Sequence, residues 1–261
     1  MNKRPSILVI AGFDPTGGAG IQADIETIND HGCHACSLIT ALTQQNSSNL
    51  LAYEPVSSDL VYRQFSSLHQ EIEFSAVKIG MIGSIDMLET IVRIIENLVN
   101  VPVVLDPVLA AGGGASVANA EFIDLMKDKL LRLCTIITPN IPEAQKLSGK
   151  TGLNDCASTL LEAGSEHVLI TGTHQDQEIV VNTLFSKHQP KYSLSCERLA
   201  AEYHGSGCTF ASALTAGLAL NHSAGNAFRM AHDYTFNSLK QADQPGKGQF
   251  FPRRQKSSFD A

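Results

Sequence analysis

The chain has 261 residues, 43% hydrophobic and 17% charged. That is enough to bury one large core, so a single α/β domain over 1–261 is expected, with its core at about 5–250. A formal net charge of −7 argues against a broad nucleic-acid or anionic-membrane surface but leaves room for a local basic pocket that takes small anions. No run nears the roughly 20 apolar residues that span a bilayer. The 6 cysteines are scattered instead of forming a dense scaffold, which points to a reducing, cytoplasmic setting.

The start MNKRPSILVIAG is basic, but its apolar run is short and leads into a glycine-rich turn, so it reads as a first strand, residues 6–11, and not as a cleaved leader. This run does not alternate, which suits a central strand covered on both faces. A loop over 12–20 follows, and Ile21, Ile25 and Ile28 then give helical spacing up to a stop at Gly32. Residues 36–45 read as a second buried strand, 52–56 as a short exposed one, and 59–71 as a helix.

From there strands and helices alternate: strand 76–79, helix 84–99, strand 103–105, helix 118–131, strand 135–137. That order predicts a parallel sheet. Helices follow at 143–147 and 157–163, then a strand at 167–171 and a hairpin-like pair at 179–185 and 192–194, so the sheet should end antiparallel. A last helix is expected over 224–241, and the basic tail 251–261 reads as loosely ordered.

The chain's chemistry centres on YHGSGCTFASALTAGLAL, residues 203–220. Gly205 and Gly207 allow positive φ and close backbone approach, so with Ser206 they form a turn whose N–H groups can hold an anion at the start of a helix. Phe210, Ala213, Leu214, Gly217 and Leu218 mark one buried face of that helix. Cys208 sits in its first turn, where uncapped N–H groups and the helix dipole favour a thiolate that can take a proton. An inert small hydrophobe beside a tight turn is the bland alternative.

Six segments, GFDPTGGAGIQAD (12–24), ITALTQQN (39–46), KIGM (78–81), VVLDPV (103–108), ITPNIPEA (137–144) and HGSGCT (204–209), resemble in order and spacing the phosphomethylpyrimidine kinases of the ribokinase-like superfamily. Members of that family also phosphorylate hydroxymethylpyrimidine in thiamine biosynthesis. The resemblance implies a three-layer α/β/α fold with a mainly parallel sheet, some antiparallel edge strands, and ligands at the strand ends. It implies ATP and Mg²⁺ as cofactors, an aminopyrimidine substrate and a homodimer.

By the same resemblance Gln45 pairs its amide with the aminopyrimidine, Asp24 accepts a hydrogen bond from that ring, and Ala19, Met81 and Val108 line its flat sides. Asp106, a carboxylate ending an apolar strand, meets magnesium, with Glu143 helping through water. Asn140, Glu143, Thr171 and Thr209 serve the nucleotide side, although Asn140 and Glu143 also make a helix-capping pattern. Cys208 accepts the substrate hydroxyl's proton within the Gly205, Ser206, Gly207 turn.

The chain departs from the family where the nucleotide is expected. Thr171, Gly172, Thr173 and His174 stand where a Lys-Gly-Gly-His is usual, Gly112, Gly113 and Gly114 replace a Lys/Thr-Ser-Gly loop, and Ala200, Ala201, Glu202 and Tyr203 replace a Thr-rich approach. Two other functions are weighed against the kinase: a pyridoxal kinase, and a pyrimidine-binding regulatory protein with weakened catalysis. A thiol hydrolase with Cys208 and His204 is set aside because it leaves Asp24, Gln45, Asn140 and Glu143 unexplained. Zinc at the CHAC group (33–36) is set aside because its candidate ligands are too crowded to surround a tetrahedral ion.

Overall fold

The computed structural model describes residues 4–109, 118–172 and 178–254. Its nine strands form one sheet: β1 Ser6–Phe13, β2 His34–Gln45, β3 Leu50–Pro55, β4 Phe74–Ile79, β5 Val103–Leu105, β6 Ile136–Ile137, β7 His167–Ile170, β8 Ile179–Ser186 and β9 Tyr192–Glu197. They lie in the order β3-β2-β1-β4-β5-β6-β7-β8-β9. The strands from β2 through β7 pair in parallel, and β3, β8 and β9 are joined antiparallel, as the alternation of elements and the hairpin-like pair predict.

Period-two alternation explains the layers. Leu8, Ile10, Val77, Ile79 and Leu105 point into one core, shared with α2 (Ser58–His69), α3 (Ile85–Glu96), α5 (Ile141–Ser148) and α6 (Leu153–Glu162). Their neighbours Ile7, Val9, Ala11 and Ala76, with Val104, Ile136 and Leu169, pack on the other face against α1 (Gly20–Asp30), α7 (Ser206–Ala219) and α8 (Ala224–Lys240). The strand cores therefore lack polar alternation because both faces are covered.

Two local readings change. The helix read over 118–131 is α-helical only for α4, Ala120–Leu125, after which one π turn (Met126–Leu130) and a 3₁₀ turn (Leu131–Leu133) carry the chain into β6. Helix α7 is buried on nearly every side, not on one face, because it lies against the sheet, α1 and α8 together. Gly217 makes this possible: a Cβ there would run into the backbone of Ala227 on α8.

The start of the tail, residues 251–254, is packed and not loose. Phe250 and Phe251 make β-bridges to Tyr203 and Asp243, and Arg254 is buried; residues 255–261 lie outside the described residues. No helix among the described residues is long and apolar enough to cross a membrane.

Sheet order sets the place for ligands. From β1 the chain moves to β2 on one side, then returns to β4 on the other, which opens a crevice at the carboxyl ends of these strands. Described residues of the loops after β1, β4, β5, β6 and β7 all line it.

Candidate active site

A cavity of about 700 Å³ occupies this crevice. Its first wall is the loop after β1, which folds around Asp14. That buried carboxylate accepts hydrogen bonds from Thr16 N at 2.9 Å, Thr16 Oγ1 at 2.8 Å and Ala19 N at 2.8 Å, so the loop winds about its own side chain. His204 Nε2 adds a fourth contact at 2.8 Å. Burial acts to raise the Asp14 carboxyl, but His204 and the Thr16 and Ala19 donors outweigh it and hold the group below its ordinary value.

Gln45, at the end of β2, lies in the cavity wall and donates from Nε2 to Thr43 Oγ1 at 2.8 Å; Thr43 in turn donates to Phe13 O at 2.8 Å. The amide is thus oriented from behind by β1 and β2. Ala19, Met81 and Val108 line the same cavity. Asp24 does not. Its carboxylate is fully buried behind the wall, ion-paired to Lys78 Nζ at 2.8 Å and accepting from Ser212 Oγ at 2.7 Å. The expected acceptor for the heterocycle is therefore committed to the core, and Lys78, which reaches the cavity wall, is the group it supports.

The opposite wall is the start of α7. Gly205, at φ 81°, is its N-cap and makes no side-chain cap, so the first-turn N–H groups keep their capacity for an anion. A Cβ at 205 would overlap Gly18 O, which ties this turn directly to the loop after β1. Ser206, Gly207 and Cys208 line the cavity beside it. Thr209 is fully buried, donating to Gly205 O at 2.8 Å and accepting from Arg254 Nε at 2.9 Å. It braces the turn from behind and is not in the nucleotide wall.

The Gly20 N–H favours the thiolate of Cys208, and the Cys208 thiol in turn acts to lower Asp106. That thiol is pushed up to about 12, chiefly by burial, with Lys78 opposing and Asp24 and Asp106 adding to the rise. This reverses the expected effect of the helix N-terminus: desolvation and two carboxylates outweigh the dipole. Lys78 itself is held above its ordinary value, because Asp24, Cys208 and Asp106 more than offset the burial that would lower it.

Two further carboxylates face the cavity. Burial pushes Asp106, just after β5, up to about 6, with Lys78 opposing and Asp24 adding. Burial and then Asp106 push Glu143 up to about 8. Asn140 and Glu143 form a full capping box at the start of α5: Glu143 N donates to Asn140 Oδ1 at 2.9 Å and Asn140 N to Glu143 Oε2 at 3.0 Å. Both residues still line the cavity, so the cap and a ligand role share the same side chains.

Thr171 lines the far end, held by its N–H on Pro139 O at 3.0 Å. Arg198, just past β9, lies in that wall too, with Asn182, His232, Phe236 and Leu239. Of the departures noted in the sequence, Ala201, Glu202 and Tyr203 lie in the wall, whereas Gly112, Gly113, Gly114, Thr173 and His174 fall outside the described residues. The pairings of Asp14 with His204 and of Lys78 with Asp24, and the place of Arg198 in the wall, carry no local sequence signal of their own. Asp14, Asp24, Lys78 and His204 all sit inside the motifs GFDPTGGAGIQAD, KIGM and HGSGCT, which mark the segments but not the pairings, and Arg198 lies outside every motif.

The family model for phosphomethylpyrimidine kinase matches residues 14–252. A hydroxymethylpyrimidine/phosphomethylpyrimidine kinase of Bacillus subtilis is 35% identical over 92% of this chain and 91% of its own length. Among solved structures, a phosphomethylpyrimidine kinase from Clostridium difficile superposes with a TM-score of 0.78 at 31% identity, covering 91% of this chain and 100% of its own. The pyridoxal kinase from Staphylococcus aureus, in complex with AMP-PCP and pyridoxal, gives a TM-score of 0.88 at 26% identity over 97% of this chain and 94% of its own.

Proposed function

The chain belongs to the phosphomethylpyrimidine kinase family, and on that footing we propose that it carries the γ-phosphoryl group of ATP to 4-amino-5-hydroxymethyl-2-methylpyrimidine and then to the resulting monophosphate, in thiamine biosynthesis. One observation carries this reading: Gln45, Cys208 and the uncapped start of α7 open into a single cavity of about 700 Å³, within the range that holds small organic ligands.

In this arrangement Gln45 reads the ring nitrogen and exocyclic amine, while Ala19, Met81 and Val108 enclose the ring. The N–H groups at Gly205 to Cys208 hold the transferring phosphate, since phosphoryl transfer asks a protein mainly for positioning and charge stabilisation. Cys208 Sγ, in its thiolate form, receives the proton of the substrate hydroxyl as that oxygen attacks phosphorus; because burial holds the thiol at about 12, the thiol must first give its own proton to solvent, and the reactive fraction grows with pH. Lys78 supports this role by opposing the rise in the thiol's pKa.

The residues fit a magnesium ion: Asp106 and Glu143 are two buried oxygen donors, and burial leaves both short of compensating charge. Asp106 would hold it directly and Glu143 through water. A bound ion supplies positive charge that offsets the charge of the transferring phosphate. Asn140, Thr171 and Arg198 form the nucleotide end of the cavity. We further place the protein in the cytoplasm as a homodimer; all six cysteines are free thiols, in keeping with a reducing compartment.

Pyridoxal phosphorylation is the second reading, favoured by the higher TM-score of the pyridoxal kinase. Coupled measurement of ADP release with each substrate separates the two. Faster release with hydroxymethylpyrimidine is expected; a wide preference for pyridoxal would replace the proposal, and pyrimidine binding without ADP would make the protein a binding or regulatory one.

A further inference from the structure

Arg254 lies past every motif that carries the family likeness, yet it is among the most enclosed charges in the chain, with its side chain 2% exposed. A buried guanidinium is retained only where oxygens satisfy it. Here Nε donates to Thr209 Oγ1 at 2.9 Å, Nη1 to Gly17 O at 3.3 Å and to Glu26 Oε2 at 3.1 Å, and Nη2 to Gly18 O. Its own backbone is held by Tyr234, whose hydroxyl donates to Arg254 O at 2.6 Å.

Three of these partners lie directly behind the two walls of the cavity, within two residues in sequence of residues that line it. Gly17 and Gly18 precede Ala19 in the loop that would enclose the ring, and Thr209 follows Cys208 in the turn that would hold the phosphate. Gly18 O is the shared point. It abuts Gly205 so closely that a Cβ there would overlap it, and it accepts from Arg254 on its other side. The tail leading to Arg254 extends the connection: Gln249 N donates to Ser47 O at 2.8 Å, near Gln45, and His204 N donates to Phe250 O at 2.9 Å.

Resting on the kinase reading above, we propose that Arg254 is a positioning residue that sets the separation between the substrate hydroxyl and the anion-holding turn. Its rigid planar fork bonds three separate segments at once, which the single ammonium of a lysine does not reproduce. Misplacement by about 1 Å at a reacting centre is enough to cost about 10²-fold in rate, whereas binding of the ring alone tolerates it.

The test is Arg254→Ala in the full chain, with kcat measured on hydroxymethylpyrimidine and ATP, and ring affinity measured by calorimetry. We expect kcat to fall about 10- to 100-fold while the pyrimidine Kd stays within about threefold. Added guanidinium ion should restore part of kcat by filling the vacated site. A kcat within about twofold of the parent, or a loss matched in Kd and unmoved by guanidinium, would overturn the proposal.

If Arg254→Ala does not fold, Arg254→Lys takes its place, with an intermediate kcat expected and a parental one contradictory. Amide exchange gives a readout that does not depend on the substrate assignment. The amides of Gly18, Ala19, Cys208 and Thr209 should exchange faster together in the variant, and unchanged exchange would count against the clamp even if the parent phosphorylates a different ring. A parent with no turnover on the pyrimidine would instead fail the kinase reading while leaving the exchange result to decide on Arg254.

Discussion

His204 Nε2 lies 2.8 Å from Asp14 Oδ2, joining residues 190 positions apart. The Asp14 carboxyl is held below its ordinary value, so at neutral pH it is ionised and His204 is the donor. The pair couples the loop after β1 to the turn that opens α7, and it does so inside the cavity wall.

The depressed carboxyl fixes the sign of a pH effect. The unfolded chain binds this proton more readily than the folded one, so the stabilisation is full above the unfolded carboxyl value and is lost as pH falls through the lower folded value. Asp14→Asn should reduce stability at neutral pH by about 1–3 kcal/mol, since it removes a buried charge-assisted bond. Urea unfolding at neutral and acid pH checks this: the difference between parent and variant should shrink at acid pH, and a constant difference would contradict it.

Asp106 behaves in the opposite way. Its carboxyl is raised to about 6 by burial, so its contribution to stability worsens as pH climbs from about 3.9, the unfolded value, to about 6 and stays unfavourable above. Asp106→Asn should therefore stabilise the metal-free protein by about 1–3 kcal/mol at neutral pH, and by less at pH near 4. Turnover should nevertheless fall by at least about 10²-fold, as expected where a stabilising change removes a functional charge. Thermal unfolding without magnesium, beside a kinase assay, would reveal both effects.

Lys78 and Asp24 provide a test of the buried pair behind the wall. Lys78→Met leaves the Asp24 carboxylate without its cation in a fully buried place, and should cost about 3–5 kcal/mol. Adding Asp24→Leu should recover much of that stability without restoring turnover. Additive losses in the double variant, measured by denaturant unfolding, would show that the two groups do not depend on each other.

Cys208 is tested by serine. The thiol stands at about 12 because burial outweighs Lys78, so if Sγ takes the proton, turnover of the parent should climb with pH above neutrality. Cys208→Ser should lower kcat by about 10²- to 10⁴-fold with ring affinity kept, and should lose that climb. Cys208→Asp should retain part of the rate. Near-parental turnover with an unchanged pH profile in the serine variant would remove Cys208 from proton transfer.

What is legible in the sequence and what is not divides along the range of the forces involved. Parallel order, the glycine loop after β1 and the uncapped turn at Gly205 were readable because periodicity and glycine chemistry act locally. The capping box of Asn140 and Glu143 was readable for the same reason. Asp24 was misread because its partner, Lys78, lies 54 residues further on, and only folding shows that the pair closes behind the wall.

The direction of the Cys208 shift failed similarly. The helix dipole can be seen in the sequence, but the burial and the carboxylates that outweigh it are tertiary. Thr209 is read as a nucleotide residue and Arg254 is not read at all, for one reason: each is explained by the other's contact. A basic tail reads as solvated until its arginine is found among backbone carbonyls.

The most direct test of the account follows the products themselves. The protein is incubated with ATP, magnesium and hydroxymethylpyrimidine, and phosphorus NMR tracks the reaction beside a parallel sample with pyridoxal. The account predicts a pyrimidine monophosphate ester that appears first and is then converted to the diphosphate, with pyridoxal phosphorylated more slowly. Pyridoxal phosphorylated ahead of the pyrimidine by a wide margin, or no pyrimidine ester at any ATP and magnesium concentration, would contradict it.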